Sequence, residues 1–285
     1  MKLIDFDEKF NRKMADYIEK HAGDHTEAEW EDVIASAYQK FGDTYLAAVG
    51  KTPRQYFAEM GDEQLVEMLK EYLLQGVSVP DLLCGEIEGR GVFPALLSLL
   101  KDTDEELVHY ALNLIGTDRR ALGRYCEMLS EDAYDEHIKD AVADLLKEKA
   151  DEVLEEMLPL AETENAPYAL EVLSRTTGHD TRALNVLLSA FRSSDDEDKP
   201  LYAGYLAAFG DDRALPALMA EIERPDIGFV LFQELKFAIE SLGGEYDKER
   251  DFSSDPAYKK IMAAGGGSDI FGRAKKYPPR AARLR

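Results

Sequence analysis

The stretch of this 285-residue chain that most resembles a chemical kit is GHDTRAL, Gly178 to Leu184. A histidine beside an aspartate is the pairing from which a general base is built, and an arginine two residues on supplies a cation for an anionic group. The spacing recurs, however. GTDRRAL runs from Gly116 to Leu122, and the one-residue-shorter GDDRAL from Gly210 to Leu215. Only one copy holds a histidine; Thr117 and Asp211 follow the glycine in the others. A side chain that two copies do without is expected to face solvent, so the motif reads as a joint between helices. In that reading the glycine closes one helix in the left-handed conformation. Asp118, Asp180 and Asp212 then cap the next helix, while Arg120, Arg182 and Arg213 reach carbonyls or an acid of the adjoining unit.

The other chemically active types are sparse. His21 and His25 stand four apart, as a metal-binding pair on one helix face would, but Gly23 and Asp24 interrupt that helix and no third ligand lies nearby. Cys84 and Cys126 are distant from one another, which argues against a disulfide framework and a thiolate zinc site. The acidic runs DEE, DDED and EDAYDE fit solvated helix faces and turns. GGG at 265–267 lacks the lysine and the preceding strand of a phosphate loop, and no nucleophile elbow occurs. No catalytic residue, cofactor or metal is expected.

The elements that carry the joints show one pattern. Leu122, Tyr125, Cys126 and Leu129 fall at offsets 0, +3, +4 and +7, one stripe of an amphipathic helix. Leu184, Leu187, Leu188 and Phe191 repeat it, as do Leu215, Leu218, Met219 and Ile222. So do Phe93, Leu96, Leu97 and Leu100, and Leu154, Met157, Leu158 and Ala161, although no joint precedes these two. The five starts, 93, 122, 154, 184 and 215, are 29 to 32 residues apart. A second helix in each unit is read by counting back from the glycine that ends it. Val108, Ala111, Leu112 and Ile115 precede Gly116; Tyr202, Tyr205, Leu206 and Phe209 precede Gly210; Leu235, Ala238, Ile239 and Leu242 precede Gly243. Leu170, Leu173, Ser174 and Thr177 make a weaker set before Gly178, and Ile138, Ala141, Val142 and Leu145 form one without a glycine. A period near 31 is that of a helix-pair array. The spacing therefore predicts an all-α fold, an α-solenoid of about five helix pairs.

FGDDRALPALMAEIERPD, Phe209 to Asp226, and VFPALLSLLKDTDEELVHYALNLIG, Val92 to Gly116, resemble HEAT-like repeats of the short bacterial kind also seen in phycobilisome-lyase-type proteins. The resemblance spans residues 90 to 245. Departures are KEKADEVL at 147–154, which lacks the glycine, and Thr176 and Thr177 in one helix. It implies a solenoid whose task is to display a binding surface. The same fold also hosts bilin lyases and alkylpurine DNA glycosylases, so a bilin-lyase-like or DNA-glycosylase-like enzyme is the alternative expectation.

The flanks differ in rhythm. Residues 1–88 form an N-terminal helical region, with stripes Phe6, Phe10, Met14, Tyr17, Ile18 and Trp30, Val33, Ile34, Ala37, Tyr38, Phe41. Thr52 before Pro53 suits a helix start. Leu65, Met68, Leu69 and Tyr72 open a pair at 62–88 that reads as an atypical capping repeat before the array at 89–247. Residues 248–285 read as a basic, mostly irregular tail: from 251 onward, eight bases face three acids. Its finish, RAKKYPPRAARLR, has two readings, a tail resting on the acidic body or a docking peptide.

The net charge of -23 repels phosphate backbones and anionic membranes. Nucleic acid is therefore an unlikely partner, and a glycosylase would need the opposite sign. No apolar run reaches the roughly 18 residues that span a bilayer, and the acidic start MKLIDFDEKF lacks the apolar core of a secretion signal. A cytoplasmic location is expected.

In a solenoid the second helices line the concave side. Their non-buried face, counted from the terminal glycine, presents Glu106, His109, Tyr110 and Asn113, then Tyr168, Glu171, Val172 and Arg175, then Pro200, Ala203, Gly204 and Ala207, then Gln233, Lys236, Phe237 and Glu240. Aromatics beside arginine or lysine compose protein-binding hot spots. The expected role is a scaffold that binds a protein or peptide partner there. The Ala/Gly patch is either smooth docking ground or a place where helices crowd.

Overall fold

The computed structural model describes residues 3–264, and among these the chain is built from sixteen α-helices with no strand. It divides into two compact units, Met1–Lys149 and Ala150–Arg285. The first holds α1 (Phe6–His21), α2 (Glu27–Gly42), α3 (Pro53–Ala58), α4 (Asp62–Leu74), α5 (Asp81–Arg90), α6 (Phe93–Leu99), α7 (Glu105–Ile115), α8 (Leu122–Ser130) and α9 (Glu136–Lys147). The second holds α10 (Leu154–Leu160), α11 (Ala166–Leu173), α12 (Thr181–Ser193), α13 (Lys199–Phe209), α14 (Leu215–Ile222), α15 (Phe229–Ser241) and α16 (Pro256–Ala264).

From α4 onward, the helices of each unit pack as successive hairpins. In the first, α4 packs on α5, α6 on α7 and α8 on α9, while α5 and α9 flank α7. In the second, α10 packs on α11, α12 on α13 and α14 on α15, while α11 and α15 flank α13. A helix that touches its hairpin partner and the equivalent helix of the next pair is the packing of an α-solenoid. The stripes of α8 and α12 are buried at all four positions. In α6 only Leu97 is half-exposed. In α14 Met219 is exposed while Leu218 and Ile222 are sealed. α10 seals only Met157 of its four, because the helix lasts seven residues and Ala161 falls at its C-cap.

Three stripes of the second helices differ from the expected register. On α13 Tyr202 and Tyr205 are half-exposed while Ala203 is buried, and Thr177 lies exposed beyond the end of α11. α9 buries Ile138, Val142 and Leu146 with Ala143, leaving Ala141 and Leu145 half-exposed. This helix has no terminal glycine from which to count; it starts at its N-cap, Asp135, which accepts from the Ile138 amide (2.9 Å), and its buried row is the one turned to α8 and α7. Elsewhere local chemistry matches the helix starts. Thr52 and Gln55 form a capping box with Pro53 in the first turn of α3, and Asp104 accepts the Glu106 and Leu107 amides at the start of α7.

The segment after α15 is irregular at first but firmly packed. Phe252 is buried against Phe229 and Phe232, at ring distances of 5.4 and 5.0 Å. Arg250 lies 5.3 Å over the Phe232 ring and donates to the carbonyls of Ile222 and Arg224. Asp255 accepts the Phe229 amide (2.9 Å), capping α15, and then starts α16 by accepting from Ala257 and Tyr258. Part of the expected irregular tail is therefore a helix, while RAKKYPPRAARLR lies outside the described residues. Among the described residues no helix is long and apolar enough to cross a membrane.

Candidate functional site

The GHDTRAL question resolves at the joints. Asp118 accepts the Arg120 amide (2.9 Å) and its guanidinium (2.8 and 3.0 Å). That guanidinium also lies 3.9 Å over the Phe93 ring of α6. Asp118 thus steadies the turn before α8 and does not cap the helix as expected, since the N-cap there is Ala121. Asp180 accepts the Arg182 amide (2.7 Å), and Arg182 grips Glu155 of α10 through both carboxylate oxygens (2.6 and 3.0 Å). In the third joint the cap is Asp211 and not the expected Asp212, and it caps the 3-10 turn Asp212–Ala214 that leads into α14. Asp211 accepts the Arg213 amide (2.9 Å), and Arg213 reaches the His179 carbonyl and the Thr181 hydroxyl, each at 2.9 Å. The spacing shared by all three joints is Asp-x-Arg, and the short joint loses its residue between the glycine and that aspartate.

The glycine rule also needs correcting in two joints. Gly210 closes its helix in the left-handed conformation (φ 75°, ψ 23°), but Gly116 has φ 56° with ψ -136°, and in the middle joint the positive φ belongs to His179, at 49°. There α11 ends at Leu173, and Thr176 and Thr177 have already turned the chain by bonding Leu173 and Asp151. The helix is closed before Gly178 is reached. His179 is half-exposed, edge-on to Phe209 at 5.7 Å, with Nδ1 3.8 Å from Asp211, too far for a hydrogen bond. Since Arg213 occupies Asp211, the trio is structural.

These contacts link elements about one repeat apart. Asp151 accepts from Thr177 and Gly178, Arg182 holds Glu155, and Arg213 holds the 179–181 segment. The turns inside the hairpins are laced in the same way. Tyr134 donates to the Leu100 carbonyl (2.5 Å), Lys70 pairs with Asp102 (2.7 Å), and Arg224 holds Asp196 through both oxygens (2.7 and 3.1 Å). Within each unit, neighbouring hairpins are thus tied at several of their joints and turns.

The aspartates of the joints give acid sensitivity a definite sign. The arginine side chains, then the backbone amides, hold Asp118 and Asp180 down at about 2, and Arg213 lowers Asp211. A carboxylate depressed below its unfolded value near 3.9 stabilises the fold fully above that pH and loses its contribution as pH falls toward its folded value. The melting temperature is expected to fall between about pH 4 and pH 2. In Asp180→Asn, melts followed by circular dichroism should start lower at neutral pH and converge on wild type near pH 2.

The same lacing positions the candidate binding face. On α7, His109 and Tyr110 are half-buried and Asn113 is exposed; burial is the first cause pushing the Tyr110 phenol above its ordinary value. In the second unit, Tyr168 and Glu171 are half-buried on α11, and Arg175 is exposed just beyond it. Lys236 is half-buried on α15, 3.9 Å from Glu240, and Phe237 is 62% exposed. Because α13 lies against both α11 and α15, the second-unit residues sit on successive neighbouring helices. Two residues expected on this face, Val172 and Ala203, are fully buried instead. α11 meets α10, α12 and α13, and α13 meets α11, α12 and α15, so their sealed sides are wider than a four-position stripe. Gly204 is different: a Cβ there would meet nothing within 4 Å, so crowding does not require its smallness. Leu201, 46% exposed at the start of α13, was missed because it falls off the stripe beside Pro200.

The remaining reactive types are quiet. Burial, followed by the charge of Asp81, pushes the Cys84 thiol up to about 11, so it stays protonated at neutral pH. His21 donates from Nδ1 to the Tyr17 carbonyl (2.8 Å) and stacks on that ring. Among the described residues no group of three His, Cys, Asp or Glu side chains is placed to hold a metal ion. No protein-family model matches the chain, and no curated protein matches it either.

Proposed function

We propose that the helix pairs are HEAT-like repeats and that the chain is a cytoplasmic, non-enzymatic scaffold that binds a protein or peptide on the outer face of its second helices. Phe237 carries the reading. A phenylalanine left 62% exposed in mid-helix forgoes much of the roughly 1.5–3 kcal/mol that full burial of such a side chain provides. It follows Lys236 on α15, which packs against α13, the helix that carries Gly204 and Ala207, and α13 in turn packs against α11, which carries Tyr168 and is followed by Arg175. An exposed aromatic next to cations and level ground suits a hot spot. The joint ladder favours binding because a pinned face needs little ordering. The charge of -23 supports a protein partner over nucleic acid.

The test replaces Tyr110, Tyr168, Arg175 and Phe237 together with alanine and compares partners recovered by quantitative affinity purification from the native cell. At least one partner should fall by about tenfold or more, the equivalent of a single lost hot spot. Retention of every partner by a folded quadruple variant would contradict the assigned face.

A further inference from the structure

The first unit carries a separate surface. On α2, Glu31, Ile34, Ala35 and Tyr38 fall at 0, +3, +4 and +7, on one side of the helix. With Phe10 of α1 and Asp81 at the start of α5 they line an open, mainly apolar trough. It adjoins a second hollow that shares Phe10, Tyr38 and Asp81 and adds Asp5, Asp7 and Glu8. Thus Ile34, Ala35 and Tyr38 form a floor, five carboxylates stand around it, and neither lysine nor arginine is among the lining residues. Glu8 is paired with Arg12, and Asp7 accepts from the Tyr38 and Ser78 hydroxyls (2.8 and 2.9 Å). No ion pair among the described residues neutralises Asp5, Asp7, Glu31 or Asp81.

From Ala15 to Lys40 no residue is buried, although Tyr17, Ile18, Trp30, Val33, Ile34 and Tyr38 lie in that span. Helices of this length draw most of their stability from tertiary packing. Here Tyr17 meets Trp30, and Phe10 meets both Phe41 and Tyr38, yet Trp30, Val33, Ile34, Ala37 and Tyr38 all stay half-exposed and Ala35 is exposed.

We propose that this trough docks a cationic amphipathic peptide segment of a partner protein. Its apolar side chains would cover Ile34, Ala35 and Tyr38, and its lysines or arginines would meet Glu31, Asp81 and Asp7. Charge complementarity selects the occupant. A neutral apolar segment would strand desolvated carboxylates, and an anionic one would be repelled.

Fluorescence anisotropy of a fluorescein-labelled Lys-Leu-Ala repeat peptide, titrated with the full-length protein, tests this. Saturable binding is expected, with a Glu-Leu-Ala repeat weaker by about tenfold or more. Ala35→Arg, at an exposed position that tolerates a long side chain, and Glu31→Lys should each weaken the first peptide about fivefold, the scale of one lost charge pair, with unchanged melts. Glu197→Lys, a charge reversal in the other unit, should change it less than about twofold. Failure to saturate, an equal loss with Glu197→Lys, or indifference to both trough variants would overturn the proposal. If Ala35→Arg does not fold, Glu31→Lys decides alone.

Discussion

Leu187→Asp is expected to abolish the cooperative unfolding of the second unit. Leu187 sits at the centre of the α12 stripe, 1% exposed, and α12 packs on α10, α11 and α13. Truncating such a leucine to alanine costs about 2.7–5 kcal/mol. Aspartate adds a carboxylate among apolar side chains, which must be desolvated or protonated. The total, about 5 kcal/mol or more, rivals the roughly 5–15 kcal/mol that holds a whole domain together. Ser189→Asp, two residues along on the exposed side, should shift stability by less than about 0.5 kcal/mol. Urea titrations followed by circular dichroism compare the two. A steep transition retained in Leu187→Asp would mean that the stripe is not a core.

Asp211→Ala should cost about 2 kcal/mol, while Asp212→Ala should cost less than about 0.5 kcal/mol. The neighbouring acids differ in what they hold. Asp211 is 7% exposed, accepts the Arg213 amide, and steadies the guanidinium that reaches Thr181 and His179. Removing it leaves the cap amide unmatched and frees the arginine that ties this joint to the one before. Asp212 is exposed at the start of a short 3-10 turn. Equal effects of the two substitutions would refute the Asp-x-Arg reading of the joint.

These two sites show what the amino-acid order displays and what it hides. Leu187 is legible because a helix repeats its sides every 3.6 residues, so burial on one side leaves a mark at fixed spacing. Recurrence of that mark near every 31 residues gives the helix pairs. The capping acid was misplaced because counting began at the glycine, whereas the physical constraint is the geometry between a carboxylate and the amide two residues on. Val172 and Ala203 were misplaced for another reason. Their burial is decided by a neighbouring helix about one repeat away, and nothing within a few residues announces it. The trough was hidden by merging. Trp30, Val33, Ile34, Ala37, Tyr38 and Phe41 read as one broad stripe, yet Trp30, Tyr38 and Phe41 meet rings of α1 while Ile34 and Tyr38 also line a hollow that reaches Asp81, more than forty residues on. Of the candidate binding face, the helices and their approximate outer side were readable; the open space at Gly204 and the degree of exposure of Phe237 required coordinates.

The central claim is that neighbouring helix pairs hold one another in place. Hydrogen exchange followed by mass spectrometry on Leu235→Ala tests it directly. Leu235 is fully buried on α15, which packs against both α14 and α13. Exchange should quicken not only in α14 and α15 but also in α13, by about tenfold or more, because each pair draws stability from the next. Quickening confined to α14 and α15, with α13 as protected as in the wild type, would contradict the account.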